Sequence, residues 1–149
     1  MRRISASIEI DADPAQVWAV LSDFSAFKEW NPFLVEAGGT ASPGARLSLR
    51  FRLPSGREMT FRPTVLVSEP GQLLRWRGRF GVPGIFDGEH SFELTAVAGG
   101  TRVVQSERFS GALVPFTGSV ISDSERGFAA LNEALKQRVE SRSRSVRTG

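Results

Sequence analysis

Apolar and polar residues alternate from the start of the chain. Ile4, Ala6, Ile8 and Ile10 fall on one side and Ser5, Ser7 and Glu9 on the other, the period-two signature of a strand with one wet face. The alternation stops at Asp13-Pro14-Ala15-Gln16. Asp13 is placed to cap exposed amides, Pro14 suits the first helical position, and Gln16 can complete a capping box. This predicts a helix through about Leu21, with Val17, Trp18, Val20 and Leu21 as its apolar members. A second short helix over residues 25–30 is stopped by Asn31-Pro32, because the residue before proline avoids helical angles.

From Phe33 to Phe109 the pattern predicts about six further strands, punctuated at Gly38-Gly39, Pro54-Ser55-Gly56, Glu69-Pro70-Gly71, Gly81 to Gly88, and Gly99-Gly100. Connections this short imply antiparallel neighbours. Leu47, Leu49, Phe51 and Leu53 oppose Arg46, Ser48, Arg50 and Arg52; Leu74, Trp76 and Phe80 oppose Arg75, Arg77 and Arg79; Met59, Phe61, Val65 and Val67 line up together. One face of the sheet is therefore apolar and the other rich in arginine. After Pro115 the period becomes helical. Thr117, Ile121, Ser124, Phe128, Leu131, Leu135 and Val139 form one stripe, and the inner sheet face is the apolar surface available to cover it. The fold class is α+β, with about seven strands curving around a long C-terminal helix and two short helices after the first strand.

Composition narrows the chemistry. A chain of 149 residues suits one domain, able to bury about 70% of its unfolded surface. The folded unit is expected over 1–140, with 141–149 a fraying basic tail. The charged start lacks a signal-peptide core, and no stretch reaches the ~20 apolar residues that span a bilayer, so a cytoplasmic protein without membrane insertion is expected. There is no cysteine and no tyrosine, which excludes disulfides, thiolate nucleophiles and phenol acid/base chemistry. One histidine without cysteine falls short of a metal set, and no phosphate-cradling loop or nucleophile elbow is present; no cofactor is expected. Of 19 basic and 16 acidic residues, Arg138, Arg142, Arg144, Arg147 and Glu140 lie in the last twelve positions, leaving 15 of each sign before them. The body is neutral, so nucleic acid is not an expected partner.

The segments IEIDADPAQVWAVLSDFSAFKEWNPF at 8–33, FELTAVAGGTRVVQSERFSG at 92–111 and FAALNEALKQRVE at 128–140 resemble the START-like or Bet v 1-like (SRPBCC) superfamily, in its polyketide cyclase/dehydrase branch. The resemblance covers nearly the whole chain and includes no catalytic motif. It implies a helix-grip fold with a cavity between sheet and terminal helix. It further implies binding of a lipid, sterol, polyketide or other small hydrophobic ligand, with catalysis of cyclisation or dehydration in some members and chaperone activation in a sister branch.

The pattern also selects candidate site residues. If Phe92 and Leu94 face inward, so does His90; if Phe109 does, so do Glu107 and Gln105. Joined by the Gly99-Gly100 turn, these strands are neighbours, and His90 with Glu107 forms a candidate catalytic pair able to orient a ligand or move a proton. Equally, Glu107 could pair with an arginine and His90 be a satisfied interior residue. The inward set expected to meet a ligand is Trp30, Phe33, Leu49, Phe51, Phe61, Trp76, Phe80, Phe92, Gln105, Phe109, Phe116, Ser124, Phe128 and Leu131, each either pocket wall or ordinary core, with Ser124 also able to bond back to its own helix. Val82, Ile85 and Phe86, with Leu113, Val114 and Phe116, are expected to frame the pocket mouth. The outer arginines either coat a solvated sheet or form a patch for an anionic partner. Three readings stay open: a carrier or sensor of a hydrophobic molecule, a cyclase or dehydratase using the same cavity, and a chaperone-activator-like interaction module.

Overall fold

A computed structural model describes residues 2–80 and 84–148; the side chains of Phe80, Phe116 and residues 145–148 lie outside the described set, as does Val82. Strand β1 (Arg2–Ile10) leads into helix α1 (Pro14–Leu21) and a 3-10 turn (Phe24–Glu29). The capping box forms: the Asp13 carboxylate accepts from the Gln16 amide at 2.9 Å and the Gln16 side chain accepts from the Asp13 amide at 3.1 Å. Seven more strands follow, β2 (Leu34–Gly38), β3 (Ser48–Arg52), β4 (Glu58–Phe61), β5 (Thr64–Glu69), β6 (Leu73–Phe80), β7 (Phe86–Val97) and β8 (Gly100–Ser110). Helix α2 (Gly118–Thr148) closes the chain.

The strands number eight, not about seven, and form two antiparallel sheets ordered β1-β8-β7-β6-β5 and β2-β3-β4. The extra strand comes from Pro63. Residues 59–67 read as one apolar run, but proline has no amide to give a ladder, so β4 ends at Phe61 and β5 begins at Thr64 in the other sheet. A register shift at Leu66 then sets Val67 opposite Arg75 instead of in line with Val65. The sheets are stitched where Arg46 bridges Thr64 and the Leu47 amide donates to the Pro63 carbonyl at 2.8 Å. The Gly81 to Gly88 stretch holds less turn than its glycines suggest, because Phe86 to Gly88 already pair with β6 and β8.

The helical stripe is buried where it was expected. Ile121, Phe128, Leu131, Leu135 and Val139 sit in one core with Leu47, Leu49, Leu74, Trp76, Phe92 and Val103 from the sheets. At Gly127 a side chain would run into the Phe33 ring, so glycine lets the helix seat directly on that aromatic. Asn132 donates to the Ala6 carbonyl (3.1 Å) and Lys136 to the Glu9 carbonyl (3.0 Å), fixing α2 along β1. The helix continues through 141–148, the stretch whose composition suggests fraying; Ser143 there is buried.

Candidate functional site

Inward positions of β6, β7 and β8 run in parallel rows. Trp76 opposes His90, and His90 opposes Glu107; one step along, Gly78 opposes Gly88, and Gly88 opposes Phe109. Where the alternation calls for two inward side chains there are two glycines; the Phe61 ring closes over Gly78, and both glycines line a cavity of about 250 Å³. Phe33, Phe51, Phe61, Phe86 and Phe109 wall it, with Met59, Leu113 and Val120 completing the apolar lining. Phe51 meets Phe61 edge-on at 5.4 Å and Phe86 stacks on Phe109 at 5.6 Å, the ring geometries that favour tight aromatic packing. The polar lining comes from Arg57, Glu107, Thr117 and Ser124. Ser124 also returns its hydroxyl to the Val120 carbonyl at 2.9 Å.

Behind Glu107 runs a buried polar chain. Asn132 Nδ2 donates to the Ala6 carbonyl, so its Oδ1 accepts from Gln105 Nε2 at 2.9 Å. Gln105 Nε2 also donates to the Phe128 carbonyl at 3.2 Å, which turns Gln105 Oε1 toward His90 Nε2, 3.0 Å away. Two backbone carbonyls thus assign the direction of every bond, and His90 must carry hydrogen on Nε2. Its other nitrogen, Nδ1, stands 3.5 Å from Glu107 Oε1. The imidazole stacks on Trp76 at 5.0 Å and meets Phe92 and Phe128 at 4.8 Å, an apolar cage that keeps water from it.

The candidates therefore divide. Phe33, Phe51, Phe61, Phe109, Ser124 and Glu107 line the cavity. His90 and Gln105 are buried behind Glu107, while Leu49, Trp76, Phe92, Phe128 and Leu131 belong to solid core. Trp30 packs against Phe27 and borders a separate shallow groove beside Arg138. Phe80 and Phe116 fall among the side chains outside the described set. Arg57, Met59, Gly78, Gly88 and Val120 line the cavity without having been singled out. The signal was available for Gly78, which stands at an inward phase of the alternating run Leu74 to Phe80. At the rim the loops around Ile85 and Leu113 are zipped together: the Ala112 amide donates to the Gly84 carbonyl (3.0 Å) and the Leu113 amide to that of Ile85 (2.9 Å). Both Ile85 and Leu113 are exposed.

Comparison with known proteins places this geometry. The family described as polyketide cyclase / dehydrase and lipid transport matches residues 1–140. Among solved structures, the Zhui aromatase/cyclase from Streptomyces sp. R1128 superposes with a TM-score of 0.79 at 16% identity, covering 97% of each chain. Protein MLL2253 from Mesorhizobium loti gives 0.74 at 21% identity, over 95% of this chain and 98% of its own. A START superfamily protein from Mycobacterium smegmatis gives 0.72 at 20% identity, over 93% and 97%. These likenesses show the fold, the helix-grip arrangement of a curved antiparallel sheet and a long C-terminal helix. No curated protein sequence matches the chain at a significant level. No helix among the described residues is long and apolar enough to cross a membrane.

Proposed function

Since the chain belongs to the polyketide cyclase / dehydrase and lipid transport family, we propose that it is a carrier or sensor holding a small hydrophobic molecule in the cavity between sheet and helix. The observation that carries this reading is the hollow at Gly78 and Gly88, walled by five phenylalanines. Its volume of about 250 Å³ exceeds the roughly 150 Å³ of an apolar cavity that takes up benzene and lies just under the usual range of ligand pockets. A guest of one to two rings fits. Burial of its apolar surface supplies affinity at about 25 cal/mol per Å², and the few polar lining groups orient it.

The test is native mass spectrometry of freshly purified protein, with extraction and identification of what is released. An apolar adduct on the wild type that Gly88→Leu lacks supports the reading. Adduct-free protein that also takes up no apolar fluorescent dye sinks it.

One observation favours a second reading, that of a cyclase or dehydratase. Glu107 reaches the cavity and His90 stands behind it, so a carbonyl-bearing guest could exchange a proton with the pair while the aromatic wall holds its shape. Glu107→Gln separates the two readings. A binder retains its guest, whereas an enzyme stops consuming the extracted molecule.

A further inference from the structure

On the opposite face of the large sheet, the strand register draws a row of charges. It runs from Arg3 on β1 through Arg108 on β8, Glu89 on β7, Arg77 on β6 and Thr64 on β5, and the isolated bridge carries it on to Arg46. Strands lie about 4.8 Å apart, so four arginines share this row with one glutamate, and that glutamate is drawn to Arg75 at 3.5 Å. The next position along β6, Arg79, faces Asp87, which accepts the Gly84 amide at 3.2 Å. At the β5 end, Arg46, Arg62, Arg77 and Arg79 converge with Thr64 on a groove of about 310 Å³.

Several other arginines of the sheets are paired. Arg50 and Arg52 pair with Glu58, Arg75 with Glu89, and Arg102 with Glu9. None of the four groove arginines forms an ion pair among the described residues. Arg46 is instead fixed in place by donating its Nε hydrogen to the Arg62 carbonyl at 3.3 Å. Gathering like charges without a counter-charge is unfavourable, and a bound anion relieves it.

We propose that this groove binds a phosphate-type oxyanion. Guanidinium groups present planar, paired donors that match phosphate oxygens, and Thr64 adds a hydroxyl. The groove is independent of the cavity, because Gly78 faces inward from β6 while Arg77 and Arg79 on either side of it face outward. A soluble phosphate compound and a phospholipid headgroup carry the same chemistry.

The experiment titrates inorganic diphosphate into the full chain at constant ionic strength and follows the arginine Nε–H resonances. Binding at the groove shifts Arg46, Arg62, Arg77 and Arg79 together, with a Kd at least tenfold below that of Arg2 and Arg142. The double variant Arg77→Gln, Arg79→Gln weakens that Kd at least tenfold with unchanged Tm, and Arg50→Gln with Arg52→Gln leaves it unaltered. Vesicles of phosphatidylcholine with phosphatidylglycerol distinguish the sources. Co-sedimentation that the first double variant abolishes supports the groove with a headgroup as ligand, and free vesicles beside diphosphate binding support it with a soluble compound. Uniform weak shifts over all exposed arginines, or a double variant that binds diphosphate like the wild type, overturns the proposal.

Discussion

The two ends of the inner sheet face are built from the same three strands and differ most at two positions, where one end has side chains and the other glycine. At one end β6 and β7 point Trp76, His90 and Phe92 at Phe128 and Leu131 of the helix, and the space is solid. At the other they point Gly78 and Gly88, and the space is hollow. The backbone register is continuous across both ends, so the hollow comes with a change of side chains and not with a break in the ladder. A protein can thus carry a stable core and an empty pocket on one ladder, with little mechanical conflict between them.

Variants at each end can break that division of labour. The largest effect belongs to the solid end: Phe128→Ala removes a ring that touches both His90 and Phe33 and should cost about 3–5 kcal/mol in urea unfolding. Because Phe33 is also a cavity wall, dye uptake by the still-folded fraction should change as well, the coupling expected of side chains in contact. Next comes Gln105→Leu, which leaves His90 Nε2–H and Asn132 Oδ1 buried without partners and should cost about 1–3 kcal/mol. The chain has a single histidine, so nitrogen-15 spectra read its tautomer directly; the Nε2–H form should dominate in the wild type and lose its dominance in this variant.

Gly88→Leu addresses the hollow end. Its first carbon would lie 3.1 Å from Glu107 Oε1, the far end of a side chain that can turn aside, and the rest of the group enters the cavity. Dye binding should fall at least tenfold while stability drops by about 1–3 kcal/mol, the usual cost of adding volume beside packed groups. A large destabilisation with binding intact would show that the two ends are not separable.

The smallest effect lies outside both ends, at Glu140. Burial raises its pKa, but the Asp11 amide and the Lys136 ammonium that it accepts from outweigh burial and hold it below the usual carboxylate range. A carboxylate lowered in the folded state contributes stability above that range and loses it as pH falls through the folded value. Glu140→Gln should therefore lower Tm slightly at neutral pH, and the gap from wild type should close below about pH 4.

Much of this was legible in the alternation of residues. The strand faces of β1, β3, β6 and β7 and the stripe of α2 follow from periods of two and three to four, because burial of one face is what a sheet or helix needs from its sequence. For His90 and Glu107 only the neighbourhood was legible: the turn at Gly99-Gly100 makes their strands adjacent, while the alternation left Glu107 equally able to pair with an arginine. The strand break at Pro63 was missed because four apolar residues kept phase across it. The cavity itself hid in residues without side chains. A pattern of apolar positions records what fills space, so inward glycines read as punctuation, and aromatics such as Trp76 and Phe61 look alike although one is core and the other wall.

Phe33 sets how the pocket can respond to size. Its ring faces the cavity on one side and leaves no room for even a methyl at Gly127 on the other, so that wall is backed by the helix and cannot recede. Leu113, across the opening, is 44% exposed. Compliance is thus one-sided: on the carrier reading proposed above, a guest longer than two rings would extend toward the exposed rim at Leu113 and Met59, and molecules would be graded there by length while their inner ends meet one fixed width.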